Sequence, residues 1–194
     1  YREAMTANGE TVVAESLHYV IQPQLSFSLM DQHTGYVKVL VGGRGEKSGN
    51  RTLNRATDSP RQPGSSIKPI SVYAPALENN LITYGSVLKD EPLPNYFDDG
   101  SAGPNNFEGT FAGTVNVDQA ITESLNAPVA QLINQMSPLV SYQFLTQNLH
   151  ITSLSEEDSY NVGGVAIGGL TNGISVRVMT GAYQIFGNGG KYYT

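Results

Sequence analysis

Arg61-Gln62-Pro63-Gly64-Ser65-Ser66-Ile67-Lys68-Pro69 places a hydroxyl and an amine three residues apart behind a Pro-Gly turn. On a helix, positions i and i+3 share a face, so a helix beginning here points Ser65 and Lys68 into the same space. Pro63-Gly64 breaks whatever precedes it, and Ser65 suits an N-cap or first-turn position. Pro69 costs little where N–H groups have no intrahelical partner. A serine hydroxyl is a poor nucleophile until a base takes its proton, and a lysine amine partly withdrawn from water loses enough basicity to do so. Ser65 is therefore a candidate nucleophile and Lys68 its candidate base. The start of a helix, with the free N–H of Ser65, favours the negative charge of a tetrahedral intermediate.

The 194 residues, 39% of them apolar, suffice for one domain with a real core. A net charge of -6 with no Lys/Arg cluster argues against nucleic acid or an anionic membrane surface as partner. No apolar run approaches the roughly 18 to 20 residues of a membrane span. The absence of cysteine excludes disulfides and thiolate metal sites. His18, His33 and His150 lack any paired spacing, so no metal site and no cofactor are expected.

Outward from the central stretch, residues 1–22 read as a connector, with a short helix from about Glu10. Leu25, Phe27 and Leu29 alternate with Ser26 and Ser28, the period of a strand with one buried face. Asp31 to Gly35 turns the chain and Tyr36 to Val41 returns, which predicts a hairpin. Arg44 to Pro60 reads as a surface excursion. Ile67, Ile70, Tyr73, Ala74 and Leu77 predict one helix over Ser66 to Leu77. Leu81 to Gly113 reads as a long functional loop. Val115 to Ser124 reads as a helix, running into Ser124-Leu125-Asn126-Ala127-Pro128. Pro128 suits the first turn of a further helix and biases Ala127 away from helical geometry, so Ser124 and Asn126 sit at a bend. There they can cap helices, or they can face a cleft, the hydroxyl relaying a proton and the carboxamide holding a substrate amide. Helices follow over Val129 to Met136, Pro138 to Leu149 and Ile174 to Phe186, and Gly163-Gly164 and Gly168-Gly169 bracket a short apolar stretch.

The runs Asn54-Arg55-Ala56-Thr57 and Arg61 to Pro69 resemble the nucleophile segment of class A penicillin-binding proteins, which cross-link bacterial peptidoglycan. Pro104 to Gly109, the phrase ITESLNAPV around Ser124, and GISVRVMTGAYQIFGNGGKYY extend the resemblance to most of the chain. It implies an α+β fold of β-lactamase/penicillin-binding transpeptidase type, an antiparallel sheet flanked by helices plus a mostly helical lobe, occupying residues 23–194. It also implies a serine D,D-transpeptidase. Ser65 would attack the penultimate carbonyl of a stem peptide ending in D-Ala-D-Ala, with Lys68 as base, Ser124 as proton relay and Asn126 as substrate-binding residue. Stem peptides and β-lactam antibiotics are the implied partners, at the outer face of the bacterial cytoplasmic membrane.

The family's third element, Lys-Thr-Gly or Lys-Ser-Gly on an edge strand, does not occur in this sequence, and Val178-Met179-Thr180-Gly181 lacks the lysine. The sheet is therefore expected to be incomplete, with only the first hairpin, an open edge and an uncovered apolar face. The remaining strands are expected from a second chain or a continuation of this one, and the 194 residues alone are expected to be inactive. Two other readings share the first two motifs. A serine β-lactamase would use a Glu-x-x-x-Asn pair, a spacing met by Glu157 and Asn161. A non-catalytic domain would keep the fold for recognition or sensing only.

Overall fold

A computed structural model describes residues 23–46 and 49–194, together with Gly9 and Val20. The expected connector over residues 1–22, with its helix from about Glu10, lies otherwise outside the described residues. Strand β1 (Phe27–Met30) pairs antiparallel with β2 (Val37–Val41), Phe27 opposite Val41 and Leu29 opposite Val39. The turn closes as expected, with the Asp31 carboxylate accepting from the His33 N–H at 2.9 Å.

The buried face of β1 is opposite to the one its alternation predicts. Ser28 is only 8% exposed, whereas Phe27 and Leu29 are 48% and 49% exposed. Period 2 fixes which residues share a face, but which face is covered depends on the neighbour. Here the neighbour is a late helix whose Gly181 lies under the Met30 thioether. Phe27, Leu29, Val39 and Val41 thus form an apolar face that remains open among the described residues.

After helix α1 (Arg55–Asp58), capped by the Asn54 side chain, the chain reaches Pro63-Gly64. The single helix expected over Ser66 to Leu77 is instead three tighter and looser pieces. A 3₁₀ turn spans Gly64–Ile67, a π turn Pro69–Tyr73, and only Ala74–Glu78 (α2) is α-helical. Two prolines cause this. Pro69 has no N–H for the Ser65 carbonyl four residues back, which takes the Lys68 N–H instead. Pro75 likewise deserts the Ser71 carbonyl, and the buried Ser141 hydroxyl donates to it. Apolar spacing gives the buried side correctly but does not register these missing donors.

The stretch read as a loop from Leu81 to Gly113 contains strand β3 (Val87–Asp90) and runs into β4 (Gly113–Asn116), with Val87 opposite Asn116. Four residues are too few to show a period. The helix expected from Val115 begins two residues later, because Asn116 ends the strand and its side chain accepts from the Gln119 N–H at 2.7 Å. Helices α3 (Val117–Thr122), α4 (Ala127–Met136) and α5 (Pro138–Gln143) follow, the last continued by a π turn over Phe144–Asn148. A 3₁₀ turn over Glu156–Ser159 precedes α6 (Val162–Ile167), a helix hidden in the glycine-bracketed stretch. Finally α7 (Val176–Ala182) runs into a 3₁₀ turn over Tyr183–Phe186.

One core joins these pieces. Ile67, Ile70 and Val72 pack with Leu132 and Ile133 of α4 and Val165 of α6, all essentially inaccessible to water. Each such side chain contributes about 1.5–3 kcal/mol relative to exposure. Their burial fixes the Ser65 turn against α4 and α6. Among the described residues no helix is long and apolar enough to cross a membrane.

Candidate active site

Ser65 and Lys68 occupy the 3₁₀ turn and its C-cap, where side chains three apart eclipse one another more closely than on an α-helix. Ser65 is exposed, while Lys68, one turn deeper, is 2% exposed. The backbone enters the turn through Gly64 in the left-handed region (φ +57). Gly168, the left-handed end of α6 (φ +84), lies so close to the Gly64 backbone that a methyl group there would run into it. Tyr183 donates its hydroxyl to the Ser66 carbonyl. At Arg61 the chain forms an antiparallel bridge with Ile174, Arg61 N–H to Ile174 carbonyl at 3.1 Å and the return bond at 2.8 Å. Three later segments therefore clamp the turn.

The second segment is a helix ending of Schellman type. The Ser124 N–H donates to Ile121 and the Leu125 N–H to Ala120, both at 3.0 Å. The left-handed position such an ending needs is held by Ser124 itself (φ 54), where glycine is usual. That conformation reverses the chain within one residue and lets Ser124 and Asn126 both reach the lysine. Pro128 then stands in the first turn of α4, as the sequence predicts.

Lys68 Nζ donates to the Ser124 carbonyl at 2.6 Å and to Asn126 Oδ1 at 2.6 Å; Ser124 Oγ lies at 3.2 Å and the Leu125 carbonyl at 3.3 Å. The Ser65 hydroxyl is not among these partners. Burial pulls the Lys68 amine down to about 8, and the oxygens around it favour the charged form and oppose a further fall. Asn126 Nδ2 donates to the Asn105 carbonyl at 2.7 Å, so its amide is held between lysine and backbone with one lone pair and one N–H unspent.

Ser65, Ser124 and Asn126 line a common cleft of about 840 Å³, whose other wall is the 105–112 loop between β3 and β4. Phe107 stands at its rim, 98% exposed. Beneath the loop, Asn106 donates to both oxygens of Asp90, at 2.7 and 2.9 Å, and accepts from the Asn126 N–H at 2.7 Å. Neither residue carries a sequence pattern that assigns it a role: Asn106 lies in the Pro104 to Gly109 stretch, but nothing around Asp90 marks it. Glu157 and Asn161, with the β-lactamase-like spacing, do not line the cleft: Glu157 is exposed on a 3₁₀ turn, and Asn161 caps α6 by accepting from the Gly164 N–H at 3.0 Å. Among the described residues no cluster of three His, Asp or Glu side chains is placed to hold a metal ion.

An α+β domain in which a Ser-x-x-Lys turn and a Ser-x-Asn bend close on one buried lysine falls in the class of penicillin-binding folds. Among solved structures, the PonA1 protein of Mycobacterium tuberculosis in complex with penicillin V is 26% identical, with a TM-score of 0.67 covering 82% of this chain and 42% of that one. Penicillin-binding protein 1A of Haemophilus influenzae, at 24% identity and a TM-score of 0.70, shares the fold over 84% of this chain and 23% of its own. The chain belongs to the family described as penicillin binding protein transpeptidase domain, whose model matches residues 25–194. Penicillin-binding protein 1A of Clostridium acetobutylicum is 35% identical over 181 residues, 89% of this chain and 22% of the relative. Penicillin-binding protein 1F of Bacillus subtilis is 34% identical over 163 residues, 84% and 21% respectively. The chain spans about a fifth of the length of these curated relatives.

Proposed function

We propose that residues 23–194 belong to a D,D-transpeptidase domain that cross-links peptidoglycan through an acyl-serine intermediate. The observation that carries this is the convergence of Ser124 Oγ and Asn126 Oδ1 on one buried lysine amine, one helical turn from an exposed serine. In the proposed reaction Lys68 takes the Ser65 Oγ proton as Oγ bonds to the penultimate D-Ala carbonyl carbon of a stem peptide. The start of the 3₁₀ turn offers the Ser65 N–H to the developing oxyanion. The C–N bond to the terminal D-Ala then breaks, and its nitrogen receives the proton from Lys68 by way of Ser124 Oγ. Asn126 holds the peptide amide with the donor and acceptor capacity that Lys68 and Asn105 leave unspent. The amine of a second stem peptide attacks the acyl-serine, releasing Oγ and restoring its proton.

A β-lactam has the strained counterpart of the same amide and is expected to acylate Ser65 and remain there. Such chemistry acts on wall precursors outside the cytoplasmic membrane, which is where we place the domain. The test is intact mass of the native polypeptide before and after incubation with a fluorescent penicillin, beside Ser65→Ala. One persistent adduct in the wild type and none in the variant is expected. Rapid loss of the adduct with turnover would favour a β-lactamase. Unchanged reversible binding without any adduct would favour a recognition domain.

A further inference from the structure

Asp90 is completely buried, yet it is a carboxylate beneath an open cleft. Its two oxygens accept from Asn106 Nδ2, at 2.7 and 2.9 Å, and Oδ2 also accepts from the Ala112 N–H at 2.7 Å. Asn106 Nδ2 donates further to the Thr110 carbonyl at 2.9 Å. These acceptors leave only one orientation for the Asn106 amide, with Oδ1 facing the other way. There it accepts from the Asn126 N–H at 2.7 Å and the Ala127 N–H at 3.4 Å, the first N–H groups of α4. Asn126 in turn has Nδ2 on the Asn105 carbonyl, so its Oδ1 must face Lys68. Hydrogen bonds thus tie the β3 carboxylate through Asn106 to the main chain of Asn126, and the Asn105 carbonyl, next to Asn106 in the chain, orients the Asn126 amide on the lysine amine. We propose that Asp90 and Asn106 are positioning residues that set the orientation of Asn126, and through it the place and basicity of Lys68.

Buried polar groups cost free energy unless fully satisfied, so an asparagine with both ends matched holds one pose against thermal turning. The pair also ties the cleft's two walls together, since Asn105 and Asn106 belong to the loop and Asn126 to the bend. Replacing Asp90 with asparagine keeps the shape but leaves one acceptor oxygen where there were two. Either the Ala112 N–H or Asn106 Nδ2 then faces another NH₂ group, and the Asn106 amide must turn or withdraw. Asn126 loses its anchor, and Lys68 loses an acceptor of its charged form. The other charged side chains lining the cleft are Glu108 and Glu123, both exposed.

The test compares Asp90→Asn and Asn106→Ala with Asp158→Asn in the native polypeptide. Asp158 is another fully buried carboxylate, hydrogen-bonded to Ser155 and Thr171, and it does not line the cleft. The first readout is the Lys68 side-chain titration by NMR, which needs no activity. Both cleft variants are expected to move its midpoint to lower pH by about half a unit or more, since a lost acceptor disfavours the ammonium. Asn106→Ala leaves the Asp90 side chain in place, so a shift there reports loss of the Asn106 link rather than removal of the carboxyl group. The second readout rests on the acyl-serine reading: labelling of Ser65 by a penicillin is expected to slow about 10²-fold per folded molecule, as misplacement by an ångström does. Asp158→Asn is expected to lower the melting temperature and leave both readouts unchanged. Unmoved Lys68 midpoints in both cleft variants overturn the proposal, as does loss of folding in both while Asp158→Asn folds. A wild type that takes up no label sinks the acyl-serine reading alone, leaving the titration to decide.

Discussion

Lys68→Arg is the substitution that bears most directly on the proposed chemistry. It keeps a positive charge and hydrogen-bond donors, but a guanidinium stays protonated far above neutral pH and cannot take a proton from serine there. In the wild type, burial brings the Lys68 amine down to about 8. At pH 7.4 roughly one molecule in five then holds a free base, against about one in a thousand for a lysine at its ordinary value near 10.4. Burial alone is worth roughly 200-fold in competent enzyme. Labelling of Ser65 by a fluorescent penicillin, quenched at intervals and read by intact mass from pH 6 to 10, should rise about tenfold per pH unit at the acid end and level off above 8. The sign follows from the role, since a base acts only once its own proton has left. Lys68→Arg should slow labelling by about 10²–10⁴, the usual share of a positioned base. Lys68→Met, which is smaller, separates loss of the base from crowding in the buried site and should label equally slowly. Variants that label within tenfold of wild type, or a wild-type profile centred near 10, would rule out Lys68 as the base.

Three further outcomes are expected. Ser124→Gly and Ser124→Ala should both lose transfer to a stem-peptide amine. The glycine variant should be the more stable by about 1 kcal/mol, because the left-handed position penalises any Cβ, and a difference scan should show it melting ~2–4 °C higher. Gly168→Ala should cost about 2–4 kcal/mol, combining a positive φ with a collision against Gly64, and should slow Ser65 labelling; an unaltered denaturant midpoint would contradict that packing. Between pH 8 and 10.5 the unfolded state holds the Lys68 proton that the folded state has released, so wild-type stability should rise with pH relative to Lys68→Met. At ~1.36 kcal/mol per unit the gain approaches about 3 kcal/mol, measurable by denaturant titration across that window.

The order of residues by itself determined the chemistry on offer and much of the chain's punctuation. Ser65 and Lys68 three apart, Ser124 and Asn126 two apart before Pro128, and the Asp31 to Gly35 turn are local patterns, and each acts through neighbours within a few residues. The resemblance of these motifs to a known family carried the fold class as well. Other features were settled by contacts distant in sequence. Ser28 rather than Phe27 is buried because α7, far later in the chain, lies on that side. The Ser65 helix breaks into 3₁₀ and π turns because Pro69 and Pro75 withhold donors, which is legible locally, yet Ser71 tolerates its loss only because Ser141 reaches it. Above all, no spacing along the chain links Asp90 to Asn106, or Lys68 to the bend at Ser124. Those groups meet because burial of Ile67, Ile70, Leu132 and Ile133 presses the turn against α4, and a charge or amide enclosed by that packing must find its partners there.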